Sequence, residues 1–565
     1  MNGNKEDSPL VTEASSRAAG PVEVVLAYHE RTKHRLDRYA AGPETLDWTM
    51  QPDSFREFSG SPRIPLPLSG RSLTTSFADI YAPGSTAPLP LSIESVGALM
   101  ELSMGLSAWK VYGPDRWALR CNPSSGNLHP TEAYLLCRRV PGLENGLYHY
   151  VSRDHVLEQR CRIAAADGAV EGDEALARLW IGLSSVHWRE AWKYGERAFR
   201  YCQHDAGHAL GALRYAAGVL GWTMSLVDSC SDRELARLLG LDRDENFATA
   251  EREEPDLLLT VNPCPSSNCP LDKSNESAAR EPAQSHWTGR ANVLDPRPMY
   301  RWPVIDEVAN ATRKECVDPE MGYRGNYPPL VHSSAEPTAR VILKRRSAQR
   351  FDGRSTMSAA DFFHILDCLL PRPVVPWDVW HYAPCIHPVF FIHRVEGLKP
   401  GLYVLLRRPE AEAQLRRALR PDFLWQRTEN APAHLPFFQL IAADCRKAAR
   451  TLSCHQAIAA DGCFSLGMLS EFEEIVRTNP WRYRQLHWEA GLLGQVLYLE
   501  AEAAGLRGTG IGCYFDDAVH EILGLGDRSF QSLYHFTVGH ALTDERIATL
   551  PPYDERARFL QKEQT

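Results

Sequence analysis

The sequence repeats itself, and that limits what it can fold into more than any other feature. The stretch DAGHALGALRYAAGVLGWTMSLVDSCSDRELARLLGL at 205–241 aligns without a gap on EAGLLGQVLYLEAEAAGLRGTGIGCYFDDAVHEILGL at 489–525. Each copy opens on acid-Ala-Gly, runs through a small-residue helix and a glycine break, and closes a capped helix on Leu-Gly-Leu. Two further blocks recur upstream in the same order. RVPGLENGLYHY at 139–150 returns as RVEGLKPGLYVL at 394–405, and His129-Pro130 returns as His387-Pro388. Three ordered blocks point to tandem duplication. A chain of 565 residues also exceeds one ordinary core.

The pattern divides the chain into a disordered tail (1–20), an N-terminal helix with extended wrapping chain (21–90), a first domain (91–262), a Pro/Ser/Asn-rich linker (263–300) and a second domain (301–555). Apolar spacing predicts a lead-in helix from Pro21 and a helix from about Leu91, with Ser92 as its cap. It also predicts strands through 134–158, a long buried helix over 203–220 and an apolar strand at 255–261. The net charge of -9 comes without any basic run, which sets nucleic acid aside as a partner. No run of about 18 apolar residues and no apolar leader segment occurs, so the expectation is a cytoplasmic protein with no membrane partner. The 14 cysteines are then expected as reduced thiols. Cys264 and Cys269 bracket a loop without partner ligands, and no metal is expected.

Four segments carry candidate chemistry. RCNPSSGNLHPTEAYLL (120–136) holds Pro123, Ser124, Ser125, Gly126 and Asn127, a turn rich in donors that suits a planar polar ring, or an ordinary loop. KRRSAQRFD (344–352) gathers Arg345, Arg346, Ser347 and Arg350, a phosphate grip aided by a helix N-terminus, or a solvated basic face. WREAWKYGERAFRYCQHDAGH (188–208) sets Lys193 and Tyr194 among aromatics, as an acid or base, or as part of an amphipathic helix. His204, Asp205 and His208 in it fit interface hydrogen bonds better than a metal, since the second copy lacks them. GLRGTGIGCYFDD (505–517) offers Gly510, Ile511 and Gly512 in a loop, or a helix C-cap and turn.

Together these segments resemble the nitroreductase superfamily, in particular its SagB-type dehydrogenase branch, which oxidises azolines in modified peptides. The resemblance covers roughly 90–550. It implies an α+β fold, a central antiparallel or mixed sheet flanked by helices, twice over and joined as an intramolecular pseudo-dimer. It implies FMN held across the interface, with the phosphate on Arg345, Arg346, Ser347 and Arg350. The ring or ribityl chain would lie on Pro123–Asn127, with Gly510–Gly512 near N5 and O4 and Lys193 near N1 and O2. The first copy keeps the serine loop but has SFADIY (76–81) where the arginines belong. The second keeps the arginines but shortens the loop to APCIHP (383–388). One FMN per chain is expected, with a degenerate second site. The expected activity is hydride transfer to or from flavin N5, with Lys193 or Tyr194 as base and a small-molecule or peptide-derived heterocyclic substrate. Two alternatives stay open: an NAD(P)H-dependent nitro or quinone reductase, and a flavin-poor scaffold that docks a peptide or carrier protein. Whether the fused pair oligomerises further is open too.

Overall fold

Two antiparallel sheets with the same strand order form the frame of the computed structural model, which describes residues 19–163, 177–264, 286–315, 322–332, 334–554 and 556. In the first sheet the strands run Val156–Arg162, Gly146–Val151, Thr131–Arg138, Arg178–Ser185, Glu254–Asn262 and Thr223–Leu226. In the second they run Phe437–Ala442, Gly401–Leu405, Ile386–Ile392, Phe464–Glu471, Phe530–Gly539 and Arg507–Ile511. Taken in chain order, the pairing is identical in the two halves. The central strands are buried on both faces, as near-continuous apolar runs such as FSLGMLSE require.

The long helices Ala198–Val219 and Arg482–Ala503 cross between the sheets, and acid-Ala-Gly marks the crossing. A Cβ on Gly207 would stand 2.2 Å from the Trp488 carbonyl oxygen, and one on Gly491 would stand 2.1 Å from that of His204. Only hydrogen fits at either position, so the backbones touch. Reciprocal ion pairs lock the same interface. Arg200 donates to Asp516 at 2.8 Å and Arg484 donates to Asp232 at 2.6 Å. These residues hold matching places in the two repeats, and all four are buried.

The expected elements around this frame form, with four differences. The lead-in helix stops at Arg31, because the Thr32 hydroxyl turns back to Tyr28 O and the His34 N–H leaves to bond Asp516 of the later half. The end of the presumed linker is paired chain: Arg290–Ala291 pairs with Phe58–Ser59, and His286–Trp287 with Val156–Arg162. The tail over 1–18, linker residues 265–285 and Cys269 lie outside the described residues. Residues near 550 cross back, Ala548–Leu550 pairing with Leu106–Tyr112 of the first half. The glycine segment at 505–517 is a strand at its core, Arg507–Ile511, rather than a loop.

Gly491→Ala is expected to destabilise the fold by about 1–3 kcal/mol, because the new methyl meets backbone that can yield only by parting two helices. Gly526→Ala, where a Cβ meets nothing within 4 Å, is expected to stay near neutral in the same urea titration.

Candidate functional site

A cavity of about 1020 Å³ opens where the two halves meet. Pro123 to Asn127 line one wall, Arg345, Arg346 and Ser347 a second, and Gly510, Ile511 and Gly512 a third. The segments are joined directly, since the Arg345 guanidinium donates to Arg120 O at 2.9 Å.

The serine loop is held from below. The Asp205 carboxylate accepts from Ser125 N at 3.0 Å and from Ser125 Oγ at 3.0 Å. The Ser124 hydroxyl accepts from His129 N at 2.8 Å, and the Asn127 amide donates to Ala118 O at 2.8 Å. Gly126 has φ +58°, and a Cβ there would lie 2.5 Å from the Tyr194 hydroxyl, so the turn needs glycine twice over. Asp205 and Glu489 open the two repeats and play matching parts: Glu489 accepts from Cys385 N at 3.0 Å, in the shortened loop of the second half. Arg407 pairs with Glu489, whereas among the described residues no cation pairs with Asp205. Burial therefore pushes the Asp205 carboxyl up to about 7, although the serine hydrogen bonds oppose it.

The opposite wall is cationic. Arg345 and Arg346 follow the C-terminus of the helix Thr338–Lys344, so the helix end there carries the wrong sign for the expected dipole assistance. Their charge must serve alone. Arg346 bonds only carbonyl oxygens (Leu343, Arg345 and Ser107), and Arg345 Nε is buried without a partner. Burial, and for Arg346 the neighbouring Arg345 charge, lowers both guanidiniums, Arg346 to about 10. A buried Arg345 and a half-buried Arg346, paired with no carboxylate among the described residues, favour an anion between them. Lys110 and Arg507 line the same wall. Arg507 stands in the quoted glycine segment, but strand alternation had to be known before its direction could be read. Ser347 Oγ lies 2.8 Å from Tyr498 Oη, which accepts from Gly510 N at 2.9 Å, tying the arginine segment to the glycine strand. The glycines there admit aromatic rings: a Cβ on Gly510 would lie 1.9 Å from the Tyr534 hydroxyl, and one on Gly512 would lie 2.3 Å from the Tyr201 ring.

Two expected site residues lie outside this lining. Arg350 is exposed beyond it, and Gln349 lines the wall instead. Lys193 is not part of the lining while Tyr194 is, since successive helical residues diverge by about 100°. Lys193 Nζ sits 5.3 Å from the Trp48 ring centroid and 5.2 Å from that of Tyr194. Burial raises the Tyr194 hydroxyl above the usual phenol range, which keeps it protonated at neutral pH, a hydrogen-bond donor but a weaker acid. His204 and His208 serve the interface, His204 stacking on Tyr534 and His208 Nε2 meeting Tyr534 Oη at 3.1 Å.

No protein-family model matches the chain. Among solved structures, a protein of Anabaena variabilis that bears a nitroreductase name superposes with a TM-score of 0.65 at 21% identity, over 92% of this chain and 99% of that one. The fold is nitroreductase-like. Among curated proteins, one named as a nitroreductase, from Methanocaldococcus jannaschii, is 25% identical over 177 residues, 30% of this chain and 81% of that protein. The trifolitoxin-processing protein TfxB of Rhizobium leguminosarum is 29% identical over 170 residues, which is 28% of this chain and 45% of that protein's length. Among the described residues, no helix of this nitroreductase-like fold is long and apolar enough to cross a membrane.

The raised Asp205 value sets a pH dependence. The folded chain holds a proton that the unfolded chain releases near pH 4, so stability falls as pH rises from about 4 through 7. Asp205→Asn removes this titration. Its stability relative to the parent is expected to climb across that window, by on the order of 4 kcal/mol at most. Denaturant titrations at pH 4.5 and pH 8 check it, and an unchanged difference would rule out a protonated Asp205.

Proposed function

We propose that the chain is an FMN-dependent oxidoreductase built by tandem duplication, with its halves in the places of two subunits and one flavin between them. One observation carries this reading: Arg345, buried, and Arg346, half-buried, of the later half and the serine-glycine turn of the earlier half line a single cavity. The donor set fits the cofactor, with unpaired cations for a phosphate and backbone and hydroxyl donors for a polar ring. Arg345, Arg346 and Ser347 hold the phosphate, and Arg507 adds charge. Ser124, Ser125, Gly126 and Asn127 form the floor for the ring and ribityl chain, while the strand at Gly510–Gly512 faces the ring's polar edge. Bound FMN supplies hydride transfer at its ring. Tyr194 holds its proton at the cavity as a hydrogen-bond donor and excludes water with Tyr201. Lys193 supports Tyr194 from behind.

The pseudo-equivalent position supports a single site. Phe77 and Tyr81 of SFADIY are core residues, with Tyr81 hydrogen-bonded to Tyr215 and Glu500. Asp378 pairs with Arg214 there, and Tyr382 with Asp228. Side chains fill what would be the second cleft.

The substrate class follows from the relatives' names. TfxB is by its name a trifolitoxin-processing protein, which is in keeping with the expected dehydrogenation of a peptide-derived heterocycle. The nitroreductase names favour an NAD(P)H-dependent reductase instead. Anaerobic addition of NADPH separates the two: rapid bleaching of the flavin selects the reductase, and persistence of the yellow form selects the dehydrogenase.

Denatured protein is expected to release one FMN per chain, identified by chromatography and absorbance. Arg345→Ala and Arg346→Ala are each expected to weaken FMN binding by about ten- to a hundredfold, the worth of a charged hydrogen bond. Lys193→Ala is expected to keep its flavin. A colourless protein that takes up no FMN would end the flavin reading in favour of a docking scaffold.

A further inference from the structure

The turn after the helix Arg446–Leu452 and the end of the glycine strand are pinned together beside the cavity. Phe515 N–H donates to Leu452 O at 2.8 Å, and the Gln456 amide donates to Cys513 O at 3.2 Å. This pinning sets the sulfurs of Cys454 and Cys513 only 2.7 Å apart, with both thiols unbridged. Cys454 and His455 adopt φ of +52° and +60°, left-handed backbone that a residue with a Cβ enters only under constraint from its surroundings. The turn is thus held in an unfavourable shape that aims one cysteine at the other.

The two sulfurs are not equivalent. Cys513 lines the cavity and Cys454 lies behind it. His34 Nδ1 accepts from Ala40 N–H at 2.9 Å, so the His34 proton sits on Nε2, which leaves that nitrogen to bond Cys513. Arg197 reaches the Gly512 carbonyl at 3.3 Å and adds positive charge. The adjoining Cys454 thiol, then His34 and Arg197, hold the Cys513 thiol below its ordinary range against the pull of burial, while Cys454 is raised. One sulfur is a ready nucleophile and the other a protonated partner in reach. Cys137 is the contrast, raised by burial alone.

We propose that Cys454 and Cys513 form a dithiol redox site that opens on the cavity and exchanges with low-molecular-weight disulfides. The Cys513 thiolate attacks one sulfur of R–S–S–R, forming a Cys513–S–S–R bond and releasing a thiolate that takes a proton from water. With Cys513 no longer negative, the charge that kept Cys454 protonated is gone. Cys454 loses its proton to water and attacks the Cys513 sulfur, closing the Cys454–Cys513 disulfide and expelling the second thiolate. Two protein thiols are oxidised and one external disulfide is reduced to two small thiols. The site stands independently of the flavin reading.

Reduced full-length protein incubated with glutathione disulfide and mapped by peptide mass spectrometry tests this. A Cys454–Cys513 cross-linked peptide that dithiothreitol reverses is expected. Cys454→Ser is expected to trap one glutathionyl group on Cys513, and Cys513→Ser to leave Cys454 unmodified. The parent protein gives a second measurement should either variant fail to fold. At pH 6, iodoacetamide is expected to label Cys513 at least about tenfold faster than the exposed Cys264 of the same molecules. Absence of the cross-link, or labelling of Cys513 no faster than Cys264, would overturn the assignment.

Discussion

Everything in this molecule hangs on the crossing of two helices at Gly207 and Gly491. Because each glycine touches the opposite backbone, the halves approach far enough to share one apolar interior, and the main core cluster draws residues from both. The ion pairs Arg200–Asp516 and Arg484–Asp232 sit at matching positions on either side of that crossing. Their arrangement is that of an isologous interface, in which a residue i meets j and j meets i, but written into one chain. Burying ions costs several kcal/mol each unless geometry repays it, so such pairs specify register more than they add stability. They fix how the later half's arginine segment lies over the earlier half's serine turn.

The cavity made by this docking is electrically lopsided. On one wall Arg345 is buried and Arg346 half-buried, and among the described residues carbonyl oxygens are their hydrogen-bond acceptors, which leaves positive charge uncompensated. On the other, Asp205 spends its acceptors on a backbone N–H and a hydroxyl and stays protonated to near neutral pH. A neutral carboxyl under the loop keeps the cavity's net field positive. A polar anion with a flat donor-acceptor body answers both walls at once, and this is the physical content of the flavin proposal. The aromatic rings of Tyr201 and Tyr534, admitted by Gly512 and Gly510, narrow the space between the walls.

Much of this was legible in the sequence because the determinants were local or repeated. The capped helix at Ser231 with Glu234 and the Gly-Leu-Tyr hairpins follow from short-range pattern, and the second copy reinforces them. The gathering of Pro123–Asn127 with Arg345 and Gly510 was legible only through the repeat together with the family resemblance, since more than a hundred residues separate each segment from the next. What stayed hidden depends on direction. Lys193 and Tyr194 are neighbours in sequence and divergent on a helix. Arg507 reads as one more charge in a glycine stretch until the strand gives it a side. The Cys454–Cys513 pair has no sequence signature, because a left-handed turn and a strand end bring its members together.

The same frame explains why its two clefts should differ. In a symmetric dimer each subunit must keep both halves of a binding site, since one gene writes both. Once two copies are covalently joined, the proposed duplication frees each to lose what the other cleft needs. The first copy could trade a phosphate grip for Phe77 and Tyr81, which now pack against Tyr215 in the core. The second could trade the serine turn for a shorter loop anchored by Glu489 and Arg407. A buried ion pair under that loop does what Asp205 does under the other, its carboxylate neutralised by Arg407 where Asp205 is neutralised by a proton. A filled cleft contributes apolar burial that an open one cannot, so on the proposed reading the filled cleft stabilises the interface on which the open cavity depends.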